Sequence, residues 1–290
     1  MKQVLVCGIA TLDIINQVDN YPAEDQEVRA TSQRITKGGN AANLVEVLCQ
    51  YGHDVYFAGT IANEPDGLRI LETLKQCGVH TDYVSLIENA KSPTSYISLS
   101  KQTGSRTIVH YRDLPEFGFE HFKLIPADTF DWLHFEGRNV EDTLLMLQKV
   151  QQELPRVPVS IEIEKPRDGI EALIEYADIV LFSKVFASSK GFNDAKTFLT
   201  TMHRQYPESE LVCALGQHGA MAITPQQQYL TSAAYPPLEI VDTIGAGDTF
   251  NAGYIHARLT GHNVHAALES ACQLAGKKIG QPGFQNLLEI

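Results

Sequence analysis

What most limits the folds open to this sequence is a series of short, mostly apolar runs. Val4–Ile9 is the first, ended around Gly8 and the polar Asp13. Similar runs recur at Val55–Ala58, Trp132–Phe135, Val159–Ile163, Ile179–Phe182, Leu211–Leu215 and Ala220–Ile223. A strand that is apolar at every position has to be covered on both faces. Between several of these runs the apolar residues recur at helical spacing, as in Ala41–Gln50, Gly67–Gln76 and Asp142–Gln152. Strands alternating with helices predict a largely parallel sheet with helices on both faces. The 290 residues show no repeat and no long linker, so one core domain spanning 1–290 is expected.

Two stretches break the rhythm. Glu27–Ile35 is polar and extended in character. Ser95–Ser100 alternates, Lys101–Ser105 carries turn chemistry around Gly104, and Arg106–Tyr111 resumes the extended pattern. This is a hairpin signal. From the residues alone, it fits either a small separate sheet over one end of the core or an edge hairpin with no role.

Charge narrows the partners. With 23 Lys and Arg against 35 Asp and Glu, the net charge is −12. A sequence-general nucleic-acid binder gains its affinity from cations neutralising phosphates, so that class is excluded, while a local site for a small anion is not. The five cysteines (Cys7, Cys49, Cys77, Cys213, Cys272) form no C-x-x-C pair, as expected of reduced thiols. No apolar run approaches the roughly 20 residues that span a bilayer, and the N-terminal stretch lacks a small-residue cleavage site. The expectation is a cytoplasmic protein with no membrane partner.

The densest chemical signal is Val241-Asp-Thr-Ile-Gly-Ala-Gly-Asp-Thr-Phe-Asn-Ala-Gly253. Ile240-Val241 reads as strand-like, and Phe250, Tyr254 and Ala257 recur at helical spacing. Gly245, Ala246, Gly247 and Asp248 are therefore expected at a helix N-terminus, where free amide N–H groups and the helix dipole favour an anion. A carboxylate beside an anion hole suits phosphoryl transfer to a hydroxyl, with Asp248 accepting its proton. The competing reading is a tight turn followed by an ordinary first-turn acid. A second glycine turn, Lys37-Gly-Gly-Asn-Ala-Ala-Asn43, opens another helix. Asn40 and Asn43 share one face and could offer amides to a polyhydroxy ligand. Alternatively, Asn40 caps the helix. Asp13, just past the first strand, is expected at the carboxyl edge of the sheet, where ligands of open α/β folds bind.

Together, Gly38-Gly-Asn-Ala-Ala-Asn43 and Asp242-Thr-Ile-Gly-Ala-Gly-Asp-Thr-Phe250 resemble the two signatures of the ribokinase-like (PfkB) carbohydrate kinases. Within that family the chain is most similar to the ketohexokinases, the fructokinases that make fructose 1-phosphate. That similarity runs through Tyr21-Pro22, Glu136-Gly-Arg-Asn139, Glu162-Ile-Glu-Lys-Pro-Arg167, Leu211-Val-Cys-Ala214 and Ala275-Gly-Lys-Lys278. The resemblance implies a three-layer α/β sandwich with a small β-sheet lid formed by segments of about 14–37 and 93–113. It also implies a homodimer through the lid strands. By position, Asp13, Gly39, Asn40 and Asn43 would bind sugar hydroxyls, and Asp25 would reach the other subunit's sugar. Arg106, Gly216, Gln217, His218, Gly219, Gly245, Ala246 and Gly247 would meet ATP, with Asp248 the base. ATP and Mg2+ are the implied cofactors, with K+ a further candidate. Many relatives carry an N-x-x-E motif that organises Mg2+; here the stretch reads Phe182-Ser-Lys-Val-Phe-Ala187, so the metal ligands are unassigned. Glu162 and Glu164 could act on Mg2+ through water or be structural acids paired with Lys165 or Arg167. The alternatives are a family kinase for another sugar or a nucleoside, or a sugar-binding regulator without catalysis.

Overall fold

The computed structural model describes residues 1–289. Strand β1 (Gln3–Cys7) opens the chain, followed by β2 (Thr11–Val18), β3 (Ser32–Gly38), helix α1 (Asn40–Gln50), β4 (Asp54–Ala62), α2 (Pro65–Gln76) and β5 (His80–Ile87). Then come β6 (Lys91–Ser100), β7 (Arg106–Asp113), the short α3 (Phe119–Phe122), β8 (Trp132–Glu136), α4 (Val140–Glu153) and β9 (Val159–Ile163). The last part holds β10 (Ile179–Ser183), α5 (Lys184–Ser189), α6 (Ala195–Gln205), β11 (Glu210–Ala214), β12 (Ala220–Ile223), β13 (Tyr229–Ser232), α7 (Ala246–Leu259) and α8 (Val264–Ile279).

Nine strands form the main sheet in the order β13-β12-β11-β10-β9-β8-β1-β4-β5. Every pairing from β5 across to β11 is parallel, and β12 and β13 add an antiparallel edge. The uninterrupted apolar character of β1 has the predicted consequence. Val4 and Val6 pack into the layer that holds α1, α7 and α8, while Leu5 and Cys7 pack into the layer of α4 and α6. The fold is a three-layer α/β sandwich. Strand order reverses at β1, with β4 on one side and β8 on the other, so the carboxyl ends of β1 and β8 mark the place where such sheets bind ligands.

The four remaining strands form a separate sheet in the order β3-β2-β6-β7. The hairpin reading of Ser95–Tyr111 therefore resolves as part of a small second sheet. Its strands start earlier than expected, at Thr11 and Lys91, and the polar 27–31 stretch lies outside any strand. Ile15, Ile97 and Leu99 of this sheet meet Ile244 in a small apolar cluster of their own, which seats the sheet on the loop leading into α7. That loop corrects another expectation: Ile240-Val241 is not a strand. Pro236 and Pro237 have no N–H for a ladder, and the Val241 N–H is taken by the Ile279 carbonyl at the end of α8. Among the described residues, no helix is long and apolar enough to cross a membrane.

Candidate active site

Helix α7 begins behind Gly245, whose φ of 75° lies in the left-handed region. A Cβ at that position would also stand 2.2 Å from the Phe284 ring, so glycine is needed on both counts. No side chain caps the helix. The Ala246 N–H turns back to the Thr243 carbonyl at 3.4 Å, but the Gly247 and Asp248 N–H groups have no backbone partner and are left for an anion, and the space beside Gly247 is open. Asp248 sits in this first turn, 7% exposed, and its Oδ2 accepts a 2.7 Å hydrogen bond from Asn43 Nδ2 on α1. Burial pushes the Asp248 carboxyl up to about 6, with the Glu164 charge adding to the rise and Asn43, Lys37 and Arg106 opposing it.

The first turn of α1 meets a group of carboxylates. Asn40 Nδ2 donates to Glu162 Oε2 at 2.9 Å and to Glu164 Oε2 at 3.3 Å. Both amides of the glycine turn therefore spend N–H groups on acids, which leaves less of each for a ligand than the sequence suggested. The capping reading of Asn40 falls, because Gly39 is the N-cap and no side chain caps α1. Asp13 lies within β2 of the small sheet rather than in a loop after β1. It is buried, and its Oδ1 accepts from Thr11 Oγ1 at 2.8 Å. Gly38 makes room for it, since a Cβ there would stand 2.1 Å from Asp13 Oδ2. A cavity of about 770 Å³ runs past Asp13, Arg34, Lys37, Asn43, Asp242 and Phe284.

The small sheet grips the loop before α7 with two arginines. Arg34 Nη2 donates to Asp242 Oδ2 at 2.7 Å, and Arg106 Nη1 to Thr243 Oγ1 at 3.3 Å. Thr243 Oγ1 in turn donates to the Gly104 carbonyl in the hairpin turn, at 2.8 Å. Gly216, Gln217 and His218 form an exposed 3-10 turn after β11, and Gly219 follows with φ 78°. Asp25 stands apart from the cavity, exposed between β2 and β3 with φ 60°.

Sequence reasoning gave no role to Glu136. Glu136 ends β8 and is buried; its Oε2 accepts from the Ile9 N–H at 2.5 Å and its Oε1 from the Ala41 N–H at 3.2 Å. Burial pushes this carboxyl up to about 8, against the opposing pull of Arg138 and the Ile9 N–H. Its cross-strand neighbour Glu162 is held by Asn40 and, through Oε1, by Asn251 Nδ2 at 2.9 Å. Burial raises Glu162 as well, and the charges of Asp248, Glu136 and Glu164 add to it. For Glu136 the available signal was an acid closing a mostly apolar strand. Glu164 forms a 3.4 Å ion pair with Lys165, whereas Arg167 turns to the Gly137 carbonyl. The stretch in place of N-x-x-E is structural: Ser183 caps α5, and Phe186 is fully buried. Among the described residues, no three His, Cys, Asp or Glu side chains converge closely enough to cage a metal.

An anion-binding helix start beside a buried, raised carboxylate can accept a proton from a hydroxyl while a phosphoryl group is transferred to it. The family model for pfkB family carbohydrate kinases matches residues 1–290. The chain is a PfkB carbohydrate kinase. The kinase is 39% identical to the ketohexokinase of Mus musculus, over 99% of both chains. It is 26% identical to the ribokinase of Bacillus subtilis strain 168, covering 98% of this chain and 95% of that one. Its fold superposes on Arabidopsis thaliana ribokinase complexed with ribose and ATP with a TM-score of 0.80, at 21% identity over 97% and 94% of the two chains. It is an ATP-dependent carbohydrate kinase with the ribokinase-like sandwich.

Proposed function

We propose that this kinase phosphorylates a ketohexose, transferring the terminal phosphoryl group of ATP to the C1 hydroxyl of fructose. The observation that carries the substrate class is the 39% identity to a ketohexokinase along the whole chain. In this reading the α7 amides of Gly245, Ala246 and Gly247 hold phosphate charge, and Asp248 takes the hydroxyl proton. Asp13, Gly39, Asn40 and Asn43 face the sugar. Arg106 lies one hydrogen bond from Thr243 in the loop entering α7, a placement that favours phosphate charge. The turn Gly216, Gln217, His218 and Gly219 borders the nucleotide.

Glu162 and Glu164 fit a hydrated Mg2+, since Asn40 bridges them and their repulsion with Asp248 is a field that a divalent cation relieves. When bound, Mg2+ supplies charge neutralisation to the phosphates. K+ stays a further candidate without assigned ligands, and the fixed positive charge at this loop is the Lys278 ammonium, bonded to the Asp242 carbonyl at 3.0 Å. Five free cysteines and the net charge of −12 suit a reducing cytoplasm and argue against nucleic acid.

A coupled ADP-release screen over fructose, tagatose, ribose and nucleosides tests the substrate. Fructose is expected to give the highest kcat/KM, with fructose 1-phosphate identified by phosphorus NMR. A better ribose or nucleoside rate would move the assignment within the family, and no turnover with any acceptor would leave only a binding protein.

The same reading includes a homodimer through the small sheet, with Asp25 completing the other subunit's sugar site. Its support is a row of exposed apolar side chains on the outer face, Ile35 (45%), Tyr96 (49%) and Val109 (67%), joined through Ile14 by the strand register. Light scattering is expected to return twice the chain mass, and Val109→Asp to halve it. A monomeric wild type would end this part of the proposal.

A further inference from the structure

Lys37 is an almost fully buried lysine. Its side chain is 1% exposed, at the end of β3, where an unpaired ammonium would be costly. All three of its donors are used by the start of α1: the Ala42 carbonyl at 3.0 Å, Asn43 Oδ1 at 3.0 Å and Glu46 Oε2 at 2.6 Å. The Phe284 ring lies under the ammonium, 4.9 Å from its centre, and the same ring packs against Gly245.

An ammonium has no acceptor. The Asn43 amide must therefore turn its oxygen to Lys37, and its NH2 group is left pointing at Asp248. In the flipped amide an N–H would face an N–H, and a carbonyl oxygen would face a carboxylate. Both contacts would be repulsive. The donor thus delivered occupies Asp248 Oδ2, so Oδ1 is the oxygen left to take a proton. We propose that Lys37 is a positioning residue for phosphoryl transfer, setting through Asn43 the orientation of the Asp248 carboxylate and its readiness to accept a proton. Glu46 moderates it, as the anion on the far side of the same ammonium. The proposal rests on Asp248 being the base.

Two variants pull in opposite directions. Lys37→Met removes the charge and frees the amide to flip, so the base holds its proton more tightly. The acidic limb of kcat/KM against pH should move up by about half a unit or more, and kcat should fall roughly tenfold, with the KM for ATP within about twofold of wild type. Lys37→Arg keeps donors without an acceptor and should restore the limb. Glu46→Gln leaves the ammonium but removes the opposing anion, so the limb should move down. A packing role alone would not shift the limb in opposite directions. If Lys37→Met does not fold, the downward shift in Glu46→Gln still decides. A limb that stays in place in a folded Lys37→Met or in Glu46→Gln, while Asp248→Asn abolishes turnover, would overturn the role of Lys37 alone. High turnover in Asp248→Asn would instead overturn the base on which it rests.

Discussion

Asp248→Asn should lower kcat by roughly 10²–10⁴-fold, the range for loss of a general base, while sugar and ATP still bind. The side chain keeps its shape and its place in the first turn of α7, but an amide cannot take the hydroxyl proton. Part of the loss reflects positioning, because the transferred phosphoryl passes through a loose transition state that asks little of a base. The pH profile separates the two contributions. The wild-type carboxyl is raised to about 6 by burial and must be ionised to act, so kcat/KM should climb as pH rises through that region and level off above it. The Asn variant should lose this limb along with its rate. Turnover of the variant within a few-fold of wild type, or a wild-type profile flat between pH 5 and 8, would refute the assignment.

Lys278→Met should be the most damaging substitution to stability among the ionic residues. The Lys278 side chain is fully buried, and its Nζ donates to the Asp242 main-chain carbonyl at 3.0 Å and lies 3.7 Å from its carboxylate. Asp242 is 1% exposed, and its Oδ1 accepts from the Ile244 N–H at 2.9 Å. Burial by itself would raise the Asp242 carboxyl, but Lys278 and Arg34 hold it below the ordinary range. Removing one partner of such a pair strands a buried charge, which typically costs about 3–5 kcal/mol. Arg34 remains on Asp242 Oδ2, so the lower end of that range is expected, measured as the drop in urea-unfolding free energy. A loss below about 1 kcal/mol would mean that Arg34 and the Ile244 and Gly283 N–H groups satisfy the aspartate without Lys278.

Strand positions were legible where burial on both faces leaves an apolar run: β12 matches its expected bounds residue for residue, and so does β9, although it carries Ser160 and Glu162. The start of α7 was legible because a two-glycine turn before helical spacing has few other uses. The small sheet was legible only in part. β2 continues from Ala10 with apolar and polar residues mixed, so its start is invisible without the partner strand β6, which pairs with it in parallel from far along the chain. The site followed the same division. Asp248 and Asn43 were marked by local motifs. That Asn43 answers to Lys37, and that Glu136 and Glu162 sit side by side, depends on which helix start and which strand ends meet. Spacing along one chain carries no record of that meeting. Ile240-Val241 misled for a related reason: its backbone partner is the end of α8, not a strand.

The grip of the small sheet on the loop at 242–244 has a bearing on waste. Arg34 on Asp242, Arg106 on Thr243 and Thr243 on Gly104 tie the small sheet to the backbone that leads into α7. If the sheet swings to admit a sugar, as the proposed reading implies, it has to break these ties, and that backbone is then free to drift. Water is the most abundant rival for the phosphoryl group, and it has best access in that same open state. On the proposed reading, the kinase would then be least competent when hydrolysis of its nucleotide is easiest, a safeguard against idle turnover that would arise from shared contacts rather than from any residue set aside for it.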